Sequence, residues 1–419
     1  MDIPIIVKIL VSLIMILTVN RLTKNLPLAI LFATLLLGIW SGHSASAMAD
    51  IAWGRFFSLD NGLLIVIITL VIWLSTLMDK TKMMRDLVAN IRYRLSPRMS
   101  MAVLPAVIGL LPMPGGALFS APLVGDVDEK NELPPLEKTR VNYWFRHIWE
   151  FAWPLYPGVI LASDISGLDI WQIVIIGIPM VLIYILSGYI FILRKVKLSP
   201  VERIASEHHI LKLVSPIIIV IVTYAAGTLF FPELHNLSKY FPMAIGLSLA
   251  IIVLGFQRPI SGTEWKKVIL NKKTFNMVLI IVIIRIYGAF IEARLPGGTL
   301  LMEQMRQELQ LFGIPILLLM MIIPFISGFT TGVSVGFVGA SFPIIFSLIG
   351  SDPTMWQLLG GFAMGYGFGF SGTMLSPVHV CLIVTNQHFG SRLGESIVSM
   401  IPPALFFMGF ALILSQFLL

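Results

Sequence analysis

Long apolar runs separated by short polar loops dominate this sequence. Eight runs are uninterrupted and come close to the ~20 residues that an α-helix needs to cross a membrane. They are Ile3–Val19, Leu26–Gly42, Gly62–Met78, Trp171–Leu193, Leu213–Phe231, Phe241–Phe256, Phe275–Ile291 and Ile397–Leu418. Two further runs, Val141–Ser163 and Met355–Thr385, are apolar but broken by Pro and Gly. The pattern predicts an all-α polytopic membrane protein with ten transmembrane helices.

Two more apolar segments carry turn residues at their centres. Residues 99–127 contain Pro112-Met-Pro-Gly-Gly116, and residues 313–349 contain Ser327-Gly-Phe-Thr-Thr-Gly332. We interpret each as a re-entrant helical hairpin that enters and leaves on the same side of the membrane. With both termini outside, most of the 29 Lys and Arg residues then fall in cytoplasmic loops, as the positive-inside rule requires. The excess of Lys and Arg in cytoplasmic loops is lost if either hairpin crosses the membrane.

The two halves of the chain have the same plan, which predicts an internal duplication. Each half has three spans, a hairpin, a broken span and a plain span, over residues 1–195 and 213–419, with a cytoplasmic linker at 196–212. Five crossings is an odd number, so the second repeat is inverted relative to the first. Identical residues support the alignment: Gly115, Ser120, Pro122, Leu155 and Pro157 match Gly336, Ser341, Pro343, Leu375 and Pro377.

Composition narrows the class of protein. The hydrophobic fraction of 57%, the charged fraction of 12% and the mean hydropathy of +0.90 exclude a soluble enzyme and a disordered chain. The net charge of +7 fits basic cytoplasmic loops against lipid better than nucleic-acid binding. Cys381 is the only cysteine, so no internal disulfide is expected, and no Cys or His cluster has metal-ligand spacing. Residues 1–18 lack a signal cleavage site, which predicts a retained first span.

The candidate site lies where helices are interrupted inside the membrane. Such breaks expose helix N-termini, which favour anions, and loose carbonyls, which together with hydroxyl groups suit a cation such as Na⁺. If the two tips and the two broken spans meet, they surround one point. The predicted substrate-binding residues there are Pro114, Gly115, Gly116, Ser120, Thr330, Thr331, Ser334, Ser341, Thr373, Ser376 and His379. The alternative to substrate binding at the tips is that their small residues allow close helix packing. The alternative for His379 is that it is a hydrogen-bonded packing residue.

Charged residues within spans add a second set of candidates, because a mid-membrane Arg is costly unless it faces protein, water or an anion. Arg285 either contacts the substrate or pairs with Glu292, two turns away. Arg146 and Glu150 are spaced i,i+4 and could neutralise each other. Otherwise Glu150 carries a coupling proton, with His147 beside it. Ser371 is the predicted hydroxyl ligand for a coupling ion, and no other cofactor or metal is expected.

Two segments carry a resemblance to a known family. They are Leu110-Leu-Pro-Met-Pro-Gly-Gly-Ala-Leu-Phe-Ser-Ala-Pro122 and Leu375-Ser-Pro-Val-His-Val-Cys-Leu-Ile-Val-Thr385. The chain resembles the prokaryotic membrane-protein family called domain of unknown function 401, within a superfamily of gluconate, dicarboxylate and divalent-anion carriers. The resemblance implies a scaffold, a moving transport domain with two hairpins, a homodimer in the cytoplasmic membrane and ion-coupled uptake of small organic anions. The Ser-Asn-Thr tip signature of sodium-coupled divalent-anion carriers is absent from both hairpins.

The sequence therefore predicts an ion-coupled secondary transporter that moves a small anion, expected to be a carboxylate, by elevator-like alternating access. In each half, the segments from the third span onward are expected to move against the first two. An anion channel is the alternative. An intramembrane serine hydrolase built on Gly369-Phe-Ser-Gly372 is a weaker one, since His379 lies on the same span as Ser371. We expect no enzymatic activity.

Overall fold

The computed structural model describes residues 3–112, 116–199, 210–350 and 352–419. These residues form α-helices, one 3₁₀ turn and no strand, which confirms the prediction of an all-helical protein. The helices are α1 Ile5–Thr23, α2 Leu26–Trp40, α3 Ala45–Phe56, α4 Leu59–Lys80, α5 Met83–Arg94, α6 Pro97–Gly109, α7 Ala117–Val127, α8 Pro135–Arg146, α9 Pro157–Ser166, α10 Ile170–Phe191, α11 Ile210–Phe230, α12 Pro232–Leu237, α13 Phe241–Gln257, α14 Gly262–Ile269, α15 Lys272–Glu292, α16 Leu301–Leu311, α17 Ile316–Thr331, α18 Ser334–Ile349, α19 Met355–Met374, α20 Val380–Phe389 and α21 Leu393–Leu418. Most of the predicted linker, at 200–209, lies outside the described residues.

Six stretches of the described chain are long and apolar enough to cross a membrane as continuous helices: α1, α4, α10, α11, the stretch formed by α14 and α15, and α21. A seventh is added if α16 and α17 are counted together, although they meet at 116°. The predicted spans α2 and α13 have 15 and 17 residues, so they rise only about 22 and 26 Å at 1.5 Å per residue. The total of ten crossings therefore remains a prediction.

Both predicted hairpins correspond to two consecutive helices that pack against each other. The first pair is α6 and α7, with residues 113–115 between them outside the described chain. The second pair is α17 and α18, and its turn is shorter than the sequence predicts. Helix α17 continues through Thr331 and ends at Gly332, whose φ of +65° suits glycine. The Ser327 and Thr331 hydroxyls donate to the carbonyls of Ile323 and Ser327, so these residues fit within the helix.

Both predicted broken spans are also interrupted. Helix α8 ends at Arg146, a stretch of turns follows, and α9 begins with Pro157 at its first position, where proline is well tolerated. Helix α19 continues to Met374 and α20 begins at Val380, so the second break covers residues 375–379. Pro377, which has no backbone N–H and restricts the residue before it, lies inside this break.

The helices form two packed groups. The outer group contains α1–α4 and α11–α15, in which α4 and α15 pack against each other, α4 packs on α13, and α15 packs on α2. The inner group contains α6–α10 and α17–α21, that is, both helix pairs, both broken spans and the last helix of each half. The third predicted spans thus differ: α4 packs with helices of the outer group, whereas α15 packs both with the outer group and with α18. The expectation that the segments from the third span onward move against the first two remains a prediction, because α15 also packs on α18 of the second helix pair.

Contacts between the halves occur in matching pairs. The helices of the first half (α1, α2 and α4 to α10) can be aligned in order with those of the second half (α11, α13 and α15 to α21). The contact of α4 with α13 then corresponds to that of α15 with α2, and the contact of α5 with α11 corresponds to that of α16 with α1. In the same way α7–α20 corresponds to α18–α9, and α8–α21 to α19–α10. A two-fold relation between two similar units produces contacts of this kind, which stay equivalent when the two halves are exchanged.

Glycines bring two helices of the inner group into backbone contact. A Cβ atom at Gly328 of α17 would overlap the carbonyl oxygen of Gly369 in α19, and a Cβ at Gly372 would overlap that of Phe325. Small residues at such crossings allow helices to pack closely in lipid, where no hydrophobic force drives them together. The glycines around Ser371 therefore have a packing role.

We expect Gly372→Ala to destabilise the protein by about 1–3 kcal/mol, because the added methyl group meets backbone that cannot rotate away. Gly409→Ala is the matched control, since Gly409 lies within α21 and has no atom near its Cβ position. Alanine there should be neutral or stabilising by up to about 1 kcal/mol. Thermal unfolding of the detergent-purified variants measures both, and equal stability of the two variants would contradict the backbone contact.

Candidate functional site

The first break holds the C-terminal end of α6. The Tyr156 hydroxyl donates to the carbonyl of Gly109 at 2.5 Å, and the Trp149 indole donates to the carbonyl of Ala106 at 2.9 Å. These carbonyls lie in the last turn of α6, where no intrahelical N–H is available for the final groups. The break therefore supplies hydrogen bonds that the first helix pair cannot make for itself.

Arg146 links the first break to the start of α7. It is the last residue of α8, only 2% exposed, and its guanidinium lies so close to Gly116 that a Cβ there would overlap it. Its Nη1 atom lies 3.4 Å from Nε2 of His147. Gly116 is thus beside a buried cation at the N-terminus of α7. The predicted tip residues Pro114 and Gly115 lie outside the described residues.

The second tip rests on the second break. The Ser376 hydroxyl donates to the carbonyl of Phe329 at 2.5 Å, near the end of α17. The backbone of His379 packs so tightly on Gly332 that a Cβ at Gly332 would be crowded by it. Ser376 and His379 are therefore brought to the second tip, and the glycine turn permits the approach.

The second tip also meets the first break. Ser334, at the start of α18, packs against Gly158, at the start of α9, and leaves no room for a side chain there. Close by, the Tyr366 hydroxyl of α19 donates to the backbone carbonyl of Glu150 at 3.0 Å. Helix starts from opposite halves of the chain are therefore in direct contact.

The two breaks contact each other through buried polar groups. Nε2 of His147 lies 3.2 Å from Nε2 of His379, and the Tyr143 hydroxyl donates to the carbonyl of Met374 at 3.0 Å. The sulfur of Cys381 lies within 4.8 Å of both imidazoles. The Glu150 carboxylate is 3.7 Å from Nε2 of His147. The sequence predicts no metal site, yet the fold brings three ligand-type side chains together from distant positions.

Four helices begin at these interruptions: α7, α9, α18 and α20. None of the four has a side-chain cap, since the residues before them are Gly116, Tyr156, Val333 and His379. Several helices elsewhere begin with capping Ser, Thr or Asn residues, among them α2, α3, α4, α15 and α19. Uncapped N–H groups and the positive end of the helix dipole both attract anions.

The remaining predicted hydroxyl residues lie on helices rather than at a tip. Ser341, Ser371 and Thr373 are buried and donate to the carbonyls of Phe337, Gly367 and Gly369, one turn back. Ser120 is buried, and its hydroxyl oxygen has no partner among the described residues. Thr330 is half-buried on α17. Ser371 has no histidine among its described contacts, which differs from the arrangement a serine hydrolase needs.

Arg285 pairs with Asp164, so the predicted pairing with Glu292 is wrong. Both side chains of the Arg285–Asp164 pair are nearly buried, and the other carboxylate oxygen of Asp164 accepts from Tyr240 at 2.7 Å. Glu292 pairs instead with Arg55 near the surface. No described contact joins Arg285 to either tip. The carboxylate that neutralises it comes from the other half of the chain, from a residue that the sequence analysis missed.

A large apolar cavity lies on another side of the first break. Its volume is about 930 Å³, and its walls include Trp149, Trp153, Trp171, Tyr224 and Met243. Almost no polar surface faces it. Such a lining suits acyl chains or other apolar groups and offers little to a carboxylate.

Comparisons with known proteins place the chain in a family. A family model described as "Protein of unknown function (DUF401)" matches residues 6–418. The chain belongs to this family. No protein with a curated description matches it.

Among solved structures, the crystal structure of the Alcanivorax borkumensis YdaH transporter, described as having an unusual topology, is similar over 93% of this chain and 96% of that one. The TM-score is 0.59 and the sequence identity is 13%. At this identity the similarity establishes a shared fold. This member of the DUF401 family is therefore an all-helical membrane protein with the fold of a known transporter.

The Arg285–Asp164 pair yields a stability prediction. Asp164→Asn should cost about 3–5 kcal/mol, because it leaves a buried guanidinium without its carboxylate. Glu292→Gln, the matched control at the exposed pair with Arg55, should cost less than about 1 kcal/mol. Thermal unfolding in detergent compares them. Greater damage from Glu292→Gln would contradict the assignment of Asp164 as the partner.

Proposed function

We propose that this protein is an ion-coupled secondary transporter that moves a small organic anion, expected to be a carboxylate, across the cytoplasmic membrane. One observation carries the proposal: the buried Arg146 guanidinium lies against the uncapped start of α7. The uncapped starts of α9, α18 and α20 are joined to it through contacts between Gly158 and Ser334, Gly332 and His379, and His379 and His147. N–H groups and a guanidinium are both donors and both favour negative charge.

A carboxylate fits this donor set better than a larger or neutral solute. The proposed substrate-binding residues are Pro114, Gly115 and Gly116 at the first tip and Thr331 and Ser334 at the second, with Ser376 and His379 from the second break. Arg146 is proposed to take the charge-complementing role that the sequence suggested for Arg285, because its guanidinium lies against Gly116 at the start of α7. Glycines at the tips let the substrate approach the backbone.

Inverted repeats are the proposed basis of transport. The repeating order of helices and the reciprocal contacts between halves support a two-fold relation. With ten crossings and two re-entrant pairs, each half has five crossings, so its copy is inserted upside down. A site shared by both halves near the middle of the membrane can then open to either side.

The inner group is the proposed moving unit and the outer group the scaffold, in an elevator-like alternating-access cycle. The two helix pairs and the two breaks all belong to the inner group, so the substrate would travel with it. Helices α4 and α15 are assigned to the scaffold because they pack on α13 and α2. A homodimer formed through the outer group completes the proposal.

Coupling by protons is proposed to use Glu150 and His147, which lie beside Arg146 in the first break. A carboxylate close to a guanidinium and an imidazole can take up or release a proton as the substrate arrives. Coupling by Na⁺ would instead use carbonyl oxygens of the breaks and hydroxyl groups such as that of Ser371.

Uptake by proteoliposomes from a panel of labelled carboxylates tests the function directly, with proton and sodium gradients imposed separately. The proposal expects saturable uptake of at least one carboxylate and counterflow driven by unlabelled substrate. A channel would conduct without counterflow. Absence of uptake across the panel under both gradients would contradict the proposal.

Arg146→Lys should reduce carboxylate uptake by about 100-fold or more, because lysine keeps the charge but loses the planar pair of donors, and misplacement by 1 Å can cost this much. Arg140→Lys is the matched control: Arg140 is on the same helix, nearly as buried, and pairs with Glu137. It should retain most of the uptake. Initial rates in proteoliposomes at equal protein incorporation give the comparison, and equal rates for the two variants would remove Arg146 from the site.

Glu150→Gln should abolish uptake driven by a pH gradient, because the amide cannot carry a proton, while leaving any uptake driven by sodium. The same vesicles report both rates under separately imposed gradients. Glu137→Gln is the control, because Glu137 lies on α8, before the first break, and is partly exposed. Unchanged pH-driven uptake in the Glu150 variant would exclude this residue from coupling.

A further inference from the structure

The structure brings His147, His379 and Cys381 together, and we propose that these three side chains bind a zinc-class divalent metal ion beside the Glu150 carboxylate. All four residues are buried. His147 and Glu150 lie in the first break, His379 ends the second break, and Cys381 lies in the first turn of α20. Two imidazoles and a thiolate suit Zn²⁺, with the fourth tetrahedral position left for water.

The distances fit such an ion. Two imidazole nitrogens that bind one tetrahedral Zn²⁺ at 2.0–2.1 Å are separated by about 3.3 Å. The observed separation of the two Nε2 atoms is 3.2 Å. The three ligand atoms of His147, His379 and Cys381 lie within 4.8 Å of one another, whereas a bound ion requires about 3.6 Å between nitrogen and sulfur. Closing that gap requires a movement of the thiol by at most about 1 Å.

The imidazole of His147 is oriented as in many metal sites. Its Nδ1 atom is 2.6 Å from the carbonyl oxygen of Tyr143, so Nδ1 carries the proton and donates. The lone pair of Nε2 then points towards His379 and Cys381. A metal-ligating histidine usually donates its other N–H to a carbonyl or carboxylate in this way.

The imidazole of His379 lacks the partners expected of a purely structural histidine. It is 6% exposed, and its Nδ1 atom has no hydrogen-bond partner among the described residues. Its Nε2 atom faces Nε2 of His147 at 3.2 Å. The sequence neighbours of His379, Val378 and Val380, are 37% and 49% exposed. The cluster therefore lies just below the protein surface.

Charge balance allows a divalent ion despite the nearby arginine. The Arg146 guanidinium lies 3.4 Å from Nε2 of His147 and opposes a bare cation. The Glu150 carboxylate lies 3.7 Å from that nitrogen, and metal binding releases the proton of the Cys381 thiol. One carboxylate and one thiolate together offset the two positive charges of the ion.

Cobalt offers a specific test, because Co²⁺ occupies zinc sites and gives a thiolate charge-transfer absorption band. Cys381 is the only cysteine in the full chain, so the band has a single possible sulfur ligand. The protein purified in detergent and treated with chelator should bind one Co²⁺ with this band, and Zn²⁺ should abolish it by displacement. Zn²⁺ should also protect Cys381 from alkylation and raise the thermal stability. These readouts do not depend on transport.

Three variants make the test decisive. Cys381→Ser should lose the band, and His379→Gln should weaken Co²⁺ binding by at least about 100-fold, the upper end of what loss of a second-shell partner costs. His388→Gln is the matched control, since His388 is exposed on the same helix and should behave like the natural protein. A soluble, monodisperse natural protein without the band and without zinc protection would overturn the proposal. So would a band of equal affinity in His379→Gln.

Discussion

Backbone groups freed by a helix break within a membrane must find partners inside the protein, and this constraint shapes the whole inner group. The carbonyl groups at the interruptions are matched by hydroxyl groups from other segments. Tyr156 donates to Gly109, Ser376 donates to Phe329, and the hydroxyls of Tyr143 and Tyr366 donate to carbonyls of the opposite break. The N–H groups at the four helix starts receive no corresponding side-chain acceptor. The imbalance leaves donors in excess, which supports the proposal of an anionic substrate.

Rigidity follows from the same arrangement. The hydroxyl bonds connect the two halves across their breaks, and the glycine contacts between α17 and α19 place backbone directly on backbone. An interior packed this closely deforms little, which is consistent with the proposal that the inner group moves as one body. The outer group has its own helix contacts, and it meets the inner group where α15 packs on α18 and α1 packs on α17.

Hydropathy and turn residues predicted most of the architecture, because the cost of exposing peptide groups to lipid governs both sequence and fold. The helix breaks near Pro157 and Pro377 follow from local chemistry. The ends of α17 and α19 could not be predicted equally well, since Ser327, Ser371 and their neighbours satisfy their hydroxyls within the helix. The contacts within polar clusters were harder still to predict from the sequence. Asp164 is separated from Arg285 by 121 residues and His147 from His379 by 232, and no local pattern reports such contacts.

The position of a bound substrate tests the central claim most directly. A cryo-electron microscopy structure with a transported carboxylate should show density among Gly116, Arg146, Ser334 and His379, with its oxygen atoms towards the starts of α7, α9, α18 and α20. Density beside Arg285, or within the apolar cavity lined by Trp149 and Trp171, would contradict the account.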